Sequence, residues 1–369
     1  MKKNVAALAV PLLFSLGIAA GPVFADNDSD QLVIRRDVDR FATLPDGVRF
    51  PEGIAANPYN GDIYVSTFDA ASPTNPTPRP NKLLRYDRQG RLLAIRDFGS
   101  DPLLGLLFDP VHNKVYICTV GDFSGTGSRI QRVDADLSNL QNVAFIPHIG
   151  APAANFPVGN PDGSTDLITF GDNASVPNAL AFDSKGNLYV SDSFQGAVFK
   201  ITDPASCNGA CKPSTLSQDG LLATVGFPPF GANGLAFKND NTLFVANTGD
   251  DRVLTIDTST GKVSVFSESL NGADGLVFDG SSGLLWVCTN QADEVVALNA
   301  NGKVVVKLGE FRGINRNGTP DGLLFPASPV IVGDEIFVTN LAVPLTTAKG
   351  DEPEEEVTRW TVSSMRLPH

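Results

Sequence analysis

The sequence predicts an all-β chain folded as a six-bladed β-propeller, its ring closed by an N-terminal strand that joins the last blade. Three observations predict it. A turn followed by a short apolar strand recurs six times, as PEGIA (51–55), LLGLLFD (103–109), PNALAFD (177–183), ANGLAFK (232–238), ADGLVFD (273–279) and ASPVIVG (327–333). Each recurrence leads through a turn of Asn, Asp and Gly into a second strand rich in Ile, Val, Leu, Tyr and Phe, which is hairpin chemistry. No segment of useful length carries a sustained helical period.

Taken in order, the chain opens on a segment with no place in the fold. Lys2 and Lys3, the apolar run Val5 to Ala20 and the small-residue signal Val23-Phe24-Ala25 read as a cleaved signal peptide over residues 1–25. Pro11 and Gly17 break the run, and no later stretch is long enough to span a membrane. The expected product is an exported protein, periplasmic or extracellular, with residues 26–369 forming the propeller. Loss of two lysines from a chain of net charge −13 leaves about −15. That balance disfavours nucleic acid and anionic membrane surfaces as partners and fits a cation binder; the expected partner is a small-molecule substrate. No marker of oligomeric state is legible.

The mature N-terminus, LVIRRDVDRFATL (32–44), is the candidate for the outer strand of the last blade. Six hairpins follow, and the repeat spacing runs from 41 residues (Asn233 to Asp274) to 74 (Leu104 to Asn178). Third strands follow in AVFKI (197–201), RVLTID (252–257) and EVVALN (294–299), and fourth strands in KVSVF (262–266) and KVVVKL (303–308). Radial closure of such units removes the long edges they would otherwise expose. Paired sandwiches leave the recurring turn signal unexplained, and a β-helix needs shorter repeats.

Three stretches interrupt the pattern. The Pro-rich residues 69–81 form a loop, since proline cannot pair in a sheet. Residues 147–175 separate blades two and three and are placed to cover one face of the disc. Residues 343–356 end in KGDEPEEE and read as a solvated loop.

The four cysteines divide into two kinds. Cys207 and Cys211 flank Asn208-Gly209, a tight-turn pair, and are expected to form a local disulfide in an oxidising compartment. Cys118 and Cys288 fall inside apolar strands three repeats apart and read as buried free thiols.

Aligned on the first strand of each repeat, the matching positions are Glu52, Leu104, Asn178, Asn233, Asp274 and Ser328. A fold that brings equivalent positions to one axis gathers Glu52, Asn178, Asn233 and Asp274 into an oxygen-only set. Two carboxylates and two amide carbonyls suit a hard cation, calcium or another divalent ion such as magnesium or manganese. Absence of His or Cys from the register disfavours zinc and copper. Polar residues before strands are also ordinary turn formers, but a glutamate is not favoured there.

Other catalytic systems find no support. Neither G-x-S-x-G nor H-E-x-x-H occurs. Of three histidines, His112 lies in a hairpin turn, His369 is the last residue, and His148 sits in the 147–175 insertion, from which it could reach the mouth as a base. Asn160, Asn173 and Ser328 are candidate substrate contacts, and Phe156, Phe194 and Phe230 candidate apolar wall. Ser and Thr near 191–193 and at 248 carry no signal of their own.

The P-E-G-I, P-N-A-L-A-F-D, A-N-G-L-A-F and A-D-G-L-V-F-D segments, with G-N-L-Y-V-S-D, resemble the senescence-marker/gluconolactonase/luciferin-regenerating family of six-bladed propellers. Paraoxonases and diisopropylfluorophosphatase are more distant relatives. The resemblance implies a calcium or other divalent ion over the channel, held by Glu52, Asn178, Asn233 and Asp274. It further implies a metal-dependent hydrolase of lactones or related esters, with Asp274 both ligand and catalytic carboxylate. The strand motifs are also similar to NHL-repeat propellers, which gives the alternative of a non-catalytic propeller binding a ligand or protein. A lyase like the strictosidine-synthase relatives needs a different acidic channel residue, and no marker for it is present.

Overall fold

A computed structural model describes residues 31–71, 79–123, 127–160, 162–171 and 174–368. The expected signal peptide lies outside the described residues. Residues Leu32–His369 form one compact unit, nearly all β. The helical content among the described residues is confined to short 3-10 turns such as Pro204–Ser206, Asn290–Ala292 and Pro353–Glu356. None of them is long and apolar enough to cross a membrane.

Six sheets form the blades of a propeller, each with four antiparallel strands, and the fifth blade carries one strand more. Their innermost strands are Pro51–Ala56, Leu103–Asp109, Pro177–Phe182, Ala232–Asn239, Ala273–Asp279 and Pro326–Val332. The second strands follow at Ile63–Thr67, Lys114–Thr119, Leu188–Asp192, Thr242–Asn247, Leu284–Thr289 and Glu335–Asn340. The core is six interfaces between consecutive blades rather than one centre. Leu103, Leu106, Tyr64 and Leu83 fill the first; Ile54, Ile63, Phe337 and Val362 fill the last, sealing blade six against blade one. Each buried Leu, Ile or Phe contributes roughly 1.5–3 kcal/mol to this stacking.

The inner strands approach so closely that side chains have no room between them. A Cβ on Gly53 would lie 2.3 Å from the Leu104 carbonyl, and one on Gly234 equally near that of Asp274. This steric demand explains the recurring glycine of the repeat. Hydroxyls tie three of the same junctions: Ser66, Ser191 and Thr339 donate to the carbonyls of Leu104, Asn233 and Glu52, each at 2.6 Å.

Closure follows the expected plan with one addition. Asp39–Thr43 pairs antiparallel with Thr361–Arg366 as the outer strand of blade six. Upstream of it, Val33–Arg35 pairs parallel with Val304–Leu308 and becomes a fifth strand of blade five. One N-terminal segment thus staples two adjacent blades. Cys207 and Cys211 form the expected disulfide, and Cys118 and Cys288 are buried free thiols.

The insertion after blade two carries a small hairpin, Phe156–Gly159 with Thr165–Ile168. It is moored to blade three: Gln195 donates to Pro147 O and accepts from Ile149 N, while Gln218 donates to Gly150 O.

Candidate metal centre at the channel mouth

All six inner strands carry a register shift at the same place, between Pro51 and Ile54, Leu103 and Leu106, Pro177 and Leu180, Ala232 and Leu235, Ala273 and Leu276, and Pro326 and Pro329. A bulge at a strand end re-aims one side chain. Here it re-aims the residue following the first of each pair: Glu52, Leu104, Asn178, Asn233, Asp274 and Ala327. The first five are the positions expected from sequence. The sixth is a correction, because blade six has Ala327 in the ring, not Ser328. Ser328 occupies the place that glycine holds in blade five: a Cβ on Gly275 would meet the Ser328 Cα at 2.7 Å. Ser328 lines the opposite end of the channel, with Pro329 and Val330. Sequence alignment slipped by one because blade six has no Gly-Leu to anchor it.

Glu52, Asn178, Asn233 and Asp274 line a single pocket, joined by Thr248 and Asn290. All four predicted side chains are buried. Their immediate partners come from one further set of equivalent positions, the residue just past each second strand. Asn178 Nδ2 donates to Ser193 Oγ at 2.9 Å, and Asn233 Nδ2 to Thr248 Oγ1 at 2.9 Å. In blade five Asn290 Nδ2 donates to Asp274 Oδ2 at 3.1 Å. The hydroxyls pass the connection on, Ser193 to Ala232 O and Thr248 to Ala273 O, each at 2.8 Å. These backing residues were missed at the sequence level, since Ser and Thr at strand ends are unremarkable until the ring is closed. Their recurrence at one repeat position is the signal that could have found them.

The pocket holds two buried carboxyls that raise each other's demand for a proton or a cation. Burial, and then the charge of Asp274, push Glu52 well above the usual carboxylate range. Burial pushes Asp274 up to about 7, against the hydrogen bonds of Asn290 and Asn233, which pull it down. Among the described residues, no basic side chain lines the pocket to offset the pair. Glu52 Oε2 and Asp274 Oδ1 are buried and accept no hydrogen bond. A buried, unpaired carboxylate oxygen costs about 1–3 kcal/mol or more, and two in one pocket call for a positive charge. The donor set therefore fits a divalent ion: two carboxylates, and two amides whose nitrogens are already committed, leaving their oxygens as the available ligands.

The other sequence candidates stand elsewhere. His148 is exposed and outside the pocket lining, because residues 147–150 are held to blade three through Gln195 and Gln218. His112 bonds to Asp109 in its hairpin turn. Asn160 is half-buried and bonded within its own hairpin, to Ser164 and Asp166. Asn173 and His369 lie outside the described residues. Phe230 does line the pocket, with Phe194 5.5 Å from it, whereas Phe156 packs against Gly220. The acidic loop departs most from expectation. Val343 and Leu345 line the pocket, and Glu352 holds that segment by accepting from Leu345 N at 3.0 Å and Thr346 N at 2.9 Å. Composition showed the charge of this loop but not the backbone donors that its carboxylates satisfy.

No family model matches the chain. A lactonase of Staphylococcus saprophyticus, drp35, is 26% identical over 273 residues, covering 66% of this chain and 69% of its own. Among solved structures, a luciferin-regenerating enzyme superposes with TM-score 0.56 at 14% identity, covering 89% of this chain and 94% of its own. Regucalcin of Agrobacterium tumefaciens, a calcium-binding protein, gives TM-score 0.56 at 14% identity over 90% and 94%. A virginiamycin B lyase of Staphylococcus aureus gives 0.51 at 12% over 89% and 99%. The chain thus has the propeller fold of the luciferin-regenerating enzyme and regucalcin, the family that its sequence motifs resemble.

Proposed function

We propose that this protein is an exported, divalent-metal-dependent hydrolase of lactones or related esters, with calcium the favoured ion. The observation that carries the reading is the pair of buried carboxylates, Glu52 and Asp274, each with an oxygen that accepts no hydrogen bond, beside two asparagines whose amide nitrogens are tied back. Similarity to a lactonase supports the hydrolase class. The fold alone does not choose the chemistry, since lyases share it.

A bound divalent ion supplies Lewis acidity to a carbonyl or phosphoryl oxygen. The chain's own residues supply the rest. Asn178 and Asn233 present carbonyl oxygens at fixed angles, because Ser193 and Thr248 hold their amide nitrogens. Asn290 holds Asp274 Oδ2 and leaves Oδ1 to take a proton from water or to attack directly. Leu104 and Phe68 stand at the pocket wall and keep bulk water from the acyl group.

The test is metal analysis of the purified protein, followed by a lactone and ester panel with and without chelator. Turnover abolished by EDTA and restored by calcium is the expected result. Chelation that lowers only the melting temperature, with no substrate turned over, overturns the hydrolase reading in favour of a binding propeller.

A further inference from the structure

The mouth of the channel has a polar half and an apolar half, and the division follows the blades. The residue just past the second strand is Ser193, Thr248 and Asn290 in blades three, four and five, but Leu341, Phe68 and Val120 in blades six, one and two. The polar trio backs Asn178, Asn233 and Asp274; the apolar trio stands behind Ala327, Glu52 and Leu104. Apolar surface continues outward from this half. Phe325, Val343 and Leu345 rise beside Leu341, and Phe230 reaches across so that its ring centroid lies 6.2 Å from that of Phe68.

The polar atoms of the pocket are gathered at its floor: the oxygens of Glu52, Asp274, Asn178 and Asn233 are the proposed ion ligands, and Asn290 Oδ1 is a further acceptor without a partner. Thr248 Oγ1 accepts from Asn233 and donates to Ala273 O, and Asn290 Nδ2 is spent on Asp274. A polyhydroxylated ring would bring several hydroxyls against walls that offer them no partner, and an unpaired buried hydroxyl is costly. An alkyl or aryl substituent meets the opposite situation, exchanging water for Phe68, Phe230, Leu341 and Leu345.

We infer that the preferred substrates are lactones or esters bearing a hydrophobic alkyl or aryl substituent, seated against the blade six–one–two side of the mouth, and that sugar lactones are poor ones. The inference rests on the hydrolase reading for its chemistry, but the recognition it describes is independent of turnover. Leu345 is the specificity residue most open to change: it is half-buried, and its backbone is positioned by the Glu352 carboxylate.

The experiment measures kcat/KM on the calcium-loaded full chain for γ-lactones with alkyl substituents from methyl to hexyl, beside glucono-δ-lactone. Each added methylene is expected to raise kcat/KM about fourfold until the pocket is filled, and glucono-δ-lactone should trail the series. Leu345→Asn should shrink the hexyl-to-methyl ratio, which loss of folded or metal-bound protein would leave unaltered. A flat series, or glucono-δ-lactone as the best substrate, overturns the inference while leaving a metal-dependent hydrolase standing. Should no lactone be hydrolysed, the hydrolase reading falls and calorimetry with the non-hydrolysable γ-hexyl-γ-lactam decides. Binding tighter than that of the γ-methyl lactam, and weakened by Leu345→Asn, upholds the hydrophobic seat; equal or absent binding overturns it.

Discussion

Asn178 gives its amide nitrogen to the Ser193 hydroxyl at 2.9 Å, and so its carbonyl oxygen is the end left for the channel. One blade on, Asn233 and Thr248 repeat the geometry at the same distance. An asparagine amide can flip end for end, and a partner on its nitrogen removes that freedom before any ion arrives. Ser193→Ala and Thr248→Val are therefore expected to weaken calcium affinity by about tenfold each, measured by calorimetry. Unchanged affinity would show that the amides are oriented by something else.

Glu52 sits buried beside Asp274 with an unpartnered oxygen. Glu52→Gln replaces a buried carboxyl whose ionised form the metal-free pocket disfavours. It should abolish tight calcium binding and yet raise the melting temperature of the chelated protein by a few degrees. Differential scanning calorimetry in EDTA checks this, and a drop in melting temperature would argue that Glu52 is stabilised by an unrecognised partner.

The same pair sets a pH dependence. Asp274 keeps its proton up to about pH 7 in the folded, metal-free chain, whereas an unfolded aspartate releases it near pH 4, about 3.9. Glu52 is raised in the same direction. Across that window the folded state binds more protons than the unfolded one, so stability is full below about pH 4 and declines as pH rises through about 7. Urea titrations of the chelated protein should show that fall between pH 5 and 8, and saturating calcium should flatten it.

Close approach of the inner strands leaves no space at Gly234, where a Cβ would lie 2.3 Å from the Asp274 carbonyl oxygen. Gly234→Ala is expected to cost about 1–3 kcal/mol in urea unfolding. It should weaken calcium binding as well, since the backbone that must yield carries Asp274. Loss of stability with unaltered affinity would separate the strand contact from the metal centre.

Much of this was legible in the chain. Gly-Leu following a turn marks the inner strands ending at Asp109, Asn239 and Asp279, and Gly-Ile the one ending at Ala56, well enough to align Glu52, Leu104, Asn233 and Asp274 without coordinates, and Asn178 follows through Ala-Leu. Blade six was misaligned because Pro329 stands where Leu276 stands in blade five, and one residue of slip put Ser328 in place of Ala327. The loop 343–356 was misjudged for another reason: charge suggests solvent, but Glu352 is bonded to the backbone of Leu345 and Thr346.

The sequence by itself determined the six hairpins, the closing N-terminal strand and the convergence of Glu52, Asn178, Asn233 and Asp274, because a repeat writes equivalent positions into the chain at readable intervals and a bulge at each aims them alike. Only the tertiary structure decided what surrounds those four side chains. Ser193, Thr248 and Asn290 on one side, Phe68, Phe230, Leu341 and Leu345 on the other, meet at the mouth through ring closure and loop packing. Contacts of that kind depend on where distant segments come to rest, and no local periodicity records them.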